Sequence, residues 1–237
     1  MQKKVLIQTI PHDSHAVAVA CELLRRGNNV FTWLSYAFPE YNHVSAYFDR
    51  DVRIRSVVGS SILEAEPDVV WRRRIASPNL PSIVAEEDHA FVQGELAAVA
   101  NSLGHLFPDA FLINDQFSSM RAELKPVQLR LAVAEGLRVP PTLMSNNPAH
   151  IRDFIASRQS PCIYKPFVGH IWADASARRV TYTADVSEDL LPSDPLLASC
   201  PGIFQEKVEK KFEVRAQFFG NYYAAIRINS GDLIDGE

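Results

Sequence analysis

The chain has 237 residues, 47% of them hydrophobic and 22% charged, with 24 Lys+Arg against 28 Asp+Glu. That length holds one large or two small domains, and the composition is ordinary for a soluble globular protein. A formal net charge of −4 supplies no global basic field for nucleic acid or an anionic membrane, so only a local basic site stays open.

Three dispersed cysteines, Cys21, Cys162 and Cys200, make no CxxC or His/Cys pair. Neither a disulfide framework nor a zinc site is indicated, which fits a reducing cytosol. The start, residues 1–8, is charged but its apolar run is too short for a signal peptide, and no apolar stretch spans a bilayer. The chain reads as cytoplasmic, without internal repeats or low-complexity segments.

In chain order, Val5-Leu6-Ile7 predicts a buried strand that ends near residues 11–14. Apolar positions at helical spacing (Val17, Val19, Ala20, Leu23, Leu24) predict a helix over 15–26, stopped by Gly27-Asn28. A strand over 30–34 follows, and strand–helix–strand argues for a right-handed parallel unit. The first loop lacks GxGxxG, and its His12, Asp13, Ser14 and His15 read as turn and N-cap residues.

Residues 68–71 form a further strand that delivers Arg72, Arg73 and Arg74 to its carboxyl end, where open α/β sheets bind ligands. Arginines there suit bidentate contacts to phosphate or carboxylate, although alternate ones face solvent. A long helix over 86–106, a strand over 111–114, a helix over 121–135 carrying Lys125, and a short strand after Val139-Pro140-Pro141-Thr142 come next. Asn147-Pro148 opens a helix to about residue 158. Strands over 163–167 and 180–183 flank a loop over 168–179, and residues 193–201 read as a proline-punctuated connector.

Two stretches carry most of the chemistry. In Ile163-Tyr164-Lys165-Pro166 a lysine sits amid strand residues: either its head reaches water at a sheet edge, or a bound polyphosphate is its partner. Downstream, Ile203-Phe204 runs into the charged connector Gln205-Glu206-Lys207-Val208-Glu209. The alternating segments 213–219 and 222–228, turned by Gly220-Asn221, predict a hairpin after it. Such a connector offers backbone groups to an adenine, and Glu209 and Glu213, as acceptors, suit ribose hydroxyls. A charged hairpin on a solvated edge is the alternative.

Taken in order, Lys125, Ile163-Tyr164-Lys165-Pro166, Phe204-Gln205-Glu206 and Glu213-Val214-Arg215 resemble the ATP-grasp superfamily. Within it they resemble the microviridin-type (graspetide) ligases that macrocyclise ribosomal peptides. The similarity extends to Val70-Trp71-Arg72-Arg73, Leu112-Ile113-Asn114-Asp115 with Ser118-Ser119, and residues 125–129 and 139–148. The resemblance implies an α/β protein of ATP-grasp architecture. A parallel-sheet pre-ATP-grasp domain would span residues 1–115, a central α+β domain 116–206, and the start of an incomplete C-terminal α+β domain 207–237.

It further implies an ATP-dependent carboxylate–amine/alcohol ligase. Such an enzyme activates side-chain carboxylates of a precursor peptide as acylphosphates and closes intramolecular esters or amides. Lys165 and Arg215 would be catalytic. Lys125, Lys165, Gln205, Glu206, Lys207, Val208, Glu209 and Glu213 would bind ATP, and Arg72 and Arg73 the peptide. Mg²⁺ would accompany ATP, with no metal ligand in this chain and the ligands expected beyond residue 237; Asp232, Asp235 and Glu237 read as an exposed acidic tail. In the superfamily the loop corresponding to 168–179 is a glycine-rich lid. Here it holds only Gly169; either Arg178 or Arg179 stands in for the backbone N–H donors, or the loop is only a linker.

The same resemblance implies a homodimer. As it stands, the chain would bind ATP weakly and not turn it over. Two other readings stay open: a RimK-like or glutathione synthetase-like amino-acid ligase, and a non-catalytic peptide-binding relative lacking the metal site.

Overall fold

The structure is a computed structural model that describes residues 2–35, 38–40, 43–46, 57–58, 61–62, 66–169, 171–173 and 178–229. For 57–58, 61–62, 171–173 and 178–179 the description is of backbone only. His170, Asp174, Ser176, Asp232, Asp235 and Glu237 lie outside the described residues, as do the side chains of Trp172, Arg178 and Arg179. The chain forms two compact units, Met1–Leu124 and Lys125–Glu237.

The first unit is built on a parallel sheet, β1 (Lys4–Thr9), β2 (Asn29–Leu34), β5 (Val69–Arg72) and β6 (Phe111–Ile113), in the order β2-β1-β5-β6. Two short strands, β3 (Val57–Val58) and β4 (Ser61–Ile62), pair separately. Strand β1 is buried on both faces, as the interior strand of a parallel sheet must be. Val5 and Ile7 pack with Ala16 of α1 (Ser14–Arg25), while Leu6 joins Trp33, Val70, Ala100, Leu103 and Phe107 on the side of α2 (His89–Ser102). Each such aliphatic side chain contributes about 1.5–3 kcal/mol by leaving water.

Helix α1 starts because the Asp13 carboxylate accepts the N–H groups of His15 and Ala16 at 3.1 and 3.2 Å. It stops at Gly27, whose φ of 79° is the left-handed conformation that a glycine C-terminus supplies.

Residues 86–106, expected as one helix, are a short 3₁₀ turn, α2 and a second 3₁₀ turn at Leu103–Leu106. The helix expected over 121–135 is two, α3 (Gln116–Glu123) and α4 (Lys125–Ala134). Pro126 has no N–H to return to residue 122, so α3 does not run on through it; the chain extends at Leu124 (ψ 115°) and restarts with Pro126 in the first turn of α4, where a missing N–H costs nothing.

The second unit holds an antiparallel sheet of β7 (Thr142–Ser145), β8 (Cys162–Lys165), β11 (Ala184–Val186) and β12 (Gly202–Glu206), ordered β11-β8-β12-β7. Alternation along these strands sorts the sheet into two faces. Leu143, Tyr164, Val186 and Phe204 face α5 (Pro148–Ala156) and α6 (Asp194–Ser199), packing on Ile151 and Leu197. The other face carries the polar row described below.

The loop expected over 168–179 contains a strand pair, β9 (Ile171–Ala173) with β10 (Arg178–Val180), and the strand flanking it in the sheet is 184–186 rather than 180–183. The connector expected over 193–201 contains α6, because Pro195 falls in the first turn, where a missing N–H costs nothing. The hairpin β13 (Glu213–Phe219) and β14 (Tyr222–Ile228) has the expected bounds, with Gly220 at φ 60° in its turn. Among the described residues no helix is long and apolar enough to cross a membrane.

Candidate functional site

Strand register builds the site. Asp185, Ile163, Gln205 and Thr142 are cross-strand partners from β11 through β8 and β12 to β7, so they project to one face, and Lys165 joins them two residues beyond Ile163. Above this face lies a cleft of about 540 Å³, lined by Ile163, Lys165, Thr183, Asp185, Gln205, Lys207, Val208, Lys210 and Glu213. Lys165 from the mid-chain strand and Glu213 from the start of the hairpin thus border the same cavity, although 48 positions separate them in sequence.

The charges around the cleft are unequally matched. Lys207 Nζ pairs with both carboxylate oxygens of Asp185 at 2.7 and 2.8 Å, and Lys210 pairs with Glu213. Lys165 has no carboxylate partner among the described residues. Its ammonium donates instead to the neutral Gln205 Oε1 at 2.6 Å. Burial, and then the neighbouring Lys210 and Lys125, push its pKa below the usual lysine value. A half-buried cation beside two further cations is a site for an anion.

The other expected nucleotide-binding residues take different places. Gln205 is buried, and its amide is engaged by Lys165 and by Thr142 Oγ1 at 2.7 Å. The N–H groups of Glu206 and Lys207 donate to the Pro141 and Pro161 carbonyls at 3.0 and 2.8 Å, which fastens the connector to both flanking segments. Val208 lines the cleft. Glu206, Glu209, Lys125 and Arg215 are not among the lining residues. Glu206 is the cross-strand partner of Cys162, whose thiol is pushed up by burial and by that carboxylate. Lys125 is the first residue of α4, close enough to Lys165 to be felt electrostatically, and donates to Gln128 Oε1 at 3.3 Å. Arg215 follows Glu213 by two residues on β13, on the same face, exposed.

Arg72 and Arg73 belong to the first unit. Arg72 donates to Asn101 Oδ1 at 2.7 Å while its Nε is buried without a partner among the described residues; burial lowers its pKa against the pull of Glu123 and Asp115. Arg73 and Arg74 each place Nε 3.5 Å from Asp13 Oδ2, so Asp13 is both helix cap and counter-charge. Sequence reasoning missed the site roles of Thr142, Asp185 and Lys210. The first two are visible only through strand register, and the Lys210–Glu213 pair only through the course of the connector, since three-residue spacing signals an ion pair on a helix and this segment is not one.

No protein-family model matches the sequence, and no curated protein matches it. Solved structures do. An ATP-grasp ligase associated with ribosomally synthesised, modified peptides from Chryseobacterium gregarium, in complex with ADP and a leader and core peptide, superposes with a TM-score of 0.87. It has 24% identity over 98% of this chain and 71% of its own. The chain has the ATP-grasp fold.

The macrocyclase MdnC from Microcystis aeruginosa MRC, bound with precursor peptide MdnA, matches with a TM-score of 0.83 and 23% identity over 96% of this chain and 76% of its own. The ATP-grasp ligase PsnB, complexed with minimal precursor, Mg and ADP, gives 0.67 and 24% over 90% and 68%. At these identities the likeness establishes the ATP-grasp architecture, and activity has to be argued from the site.

Proposed function

We propose that the protein is a cytoplasmic ATP-dependent ligase acting on a ribosomal precursor peptide. A side-chain carboxylate oxygen of the peptide attacks the terminal phosphorus of ATP and ADP leaves. A Ser/Thr hydroxyl or Lys amine of the same peptide then attacks the acylphosphate carbonyl, releasing phosphate and a proton and closing an ester or amide. The chemistry needs ATP because a carboxylate oxygen leaves only once it is phosphorylated, and the charge on the transferring group needs fixed cations.

One observation carries this reading: a half-buried lysine without a carboxylate partner among the described residues and the acid at the start of the hairpin line one cleft on the face of an ATP-grasp sheet turned away from α5 and α6. Lys165 is assigned to the phosphates, with Lys125 beside it and Arg215 further along β13. Lys207 and Val208, which line the cleft, are assigned to the adenine together with the backbone of Gln205 and Glu206. Glu213 is assigned to the ribose, sharing its carboxylate with Lys210, and Glu209 is the second candidate. Arg72 and Arg73 are assigned to a peptide carboxylate, since paired guanidiniums suit bidentate recognition.

Mg²⁺ is proposed to accompany the nucleotide, as Mg accompanies ADP in the PsnB complex. Among the described residues no group of three His, Cys, Asp or Glu side chains is placed to hold it. A homodimer, measurable by light scattering, is part of the same proposal.

The test pairs a binding and a product measurement. Lys165→Ala is expected to lose nucleotide binding by calorimetry, at least about tenfold for one charge-assisted contact, with circular dichroism unchanged. Incubation of the complete protein with ATP and the peptides encoded by neighbouring genes is expected to remove one water per crosslink. A mass gain equal to an amino-acid residue (the amino acid less one water) identifies an amino-acid ligase instead, and peptide binding indifferent to ATP identifies a binding module.

A further inference from the structure

The environment of Lys165 contains a directional relay. The Pro140 carbonyl can only accept, so the Thr142 hydroxyl, 2.8 Å away, must donate to it. The Thr142 oxygen then has lone pairs left for a donor, and at 2.7 Å it takes the Gln205 Nε2 amide group. That fixes the flip of the Gln205 amide and turns Oε1 towards Lys165, whose ammonium can only donate. Both ends of the chain therefore demand the same amide orientation.

The contacts bridge positions far apart in sequence, |i−j| of 63 for Thr142–Gln205 and 40 for Gln205–Lys165, on three neighbouring strands of the central sheet. Gln205 is buried, so its amide has few other partners to choose from.

We propose that Gln205 is a positioning residue, oriented by Thr142, that holds the Lys165 ammonium in the cleft without cancelling its charge, so that the charge stays available to an anionic ligand of the polyphosphate class. A carboxylate in place of this amide would hold the lysine equally well but neutralise it, as Asp185 does Lys207 and Glu213 does Lys210. The site thus separates two jobs: acid-paired lysines on the walls, and one amide-tethered lysine on the sheet. The inference rests on the assignment of Lys165 to phosphate only for the identity of the anion; the relay itself is testable without a nucleotide.

The experiment is competitive acetylation of the unliganded chain across a range of pH, with the modification at Lys165 and Lys207 quantified by mass spectrometry. Thr142→Val removes the hydroxyl, frees the amide to turn its N–H groups towards the ammonium, and favours the neutral amine. Lys165 should then be labelled about tenfold faster at a given pH, the change that one unit of pKa produces. Thr142→Ser should restore the wild-type rate. Gln205→Glu, which keeps size and reach, should slow labelling of Lys165 by a similar factor, and Lys207 should be unchanged in all three.

Equal labelling of Lys165 in wild type and Thr142→Val, both folded by circular dichroism, overturns the relay. Should Thr142→Val fail to fold, unchanged labelling in Gln205→Glu overturns it instead. The nucleotide assignment fails separately: if the variants shift labelling as expected but ADP neither binds nor protects Lys165, the relay stands and the anion is not a nucleotide.

Discussion

Asp13 shows how one side chain ties a helix start to the carboxyl edge of the parallel sheet. Burial works to raise its pKa, but the Ala16 N–H, then Arg73 and Arg74, and the Thr9 hydroxyl outweigh burial and hold it below the usual aspartate value. A lowered folded-state pKa means stability that is fully present above the unfolded value of about 3.9 and lost as pH falls through the folded one. Asp13→Asn is therefore expected to denature with a shallower dependence on acid than wild type. Asp13→Ala is expected to lose about 1–2 kcal/mol at neutral pH through the cap alone. Urea titrations across that range check both, and identical acid profiles for wild type and Asp13→Asn would remove the ion pairs from the account.

Lys165 follows the opposite sign. Its pKa is depressed by burial and two neighbouring lysines, so its charge is present at low pH and disappears at a lower pH than an ordinary lysine's. Anion affinity at this site should fall as pH rises through that depressed value. In the sequence, the reading of Lys165 as either an edge lysine or a phosphate partner could not be narrowed, because the absence of a carboxylate partner depends on cross-strand neighbours.

Among the elements, those whose signals are local were legible in the sequence. The β13–β14 hairpin follows from two alternating runs around Gly220-Asn221, and α1 from a cap, an apolar periodicity and a terminal glycine. Elements that depend on a single proline or on short pairing were not. Pro126 divides what periodicity alone joins into one helix, Pro195 opens a helix where proline suggests a connector, and β9 and β10 are too short to show a period.

The packing of β12 carries a prediction of its own. A Cβ on Gly202 would sit 2.4 Å from Tyr164 Cε2 and 3.3 Å from the Phe204 ring, in a layer where those two aromatics meet edge-on with centroids 5.6 Å apart. Gly202→Ala should force the Tyr164 ring aside and destabilise the second unit by about 1–3 kcal/mol. A thermal midpoint equal to wild type would show that the ring moves freely.

At the scale of the whole molecule, the strand–helix–strand start pointed to an α/β chain with a parallel first sheet, which the first unit has, and the chain has the ATP-grasp fold that the ordered motifs suggested. The expected division near residue 115 and the observed one after Leu124 differ by α3, which Asp115 caps by accepting the Ser118 N–H at 2.8 Å. No local signal assigns a short capped helix to the unit before it or after it; its contacts do.

The site was legible as a set of segments, and which members share a cavity was not. Gln205, Lys207, Val208, Glu213 and Lys165 converge on the cleft, whereas Glu206 sits opposite Cys162. The central claim is that this cleft receives a nucleotide, and photolabelling with an azido-adenine nucleotide followed by peptide mapping tests it most directly. The label is expected on residues 205–208, with Lys165→Ala and excess ADP each suppressing it. Labelling confined to other segments, or undiminished by both, would contradict the account.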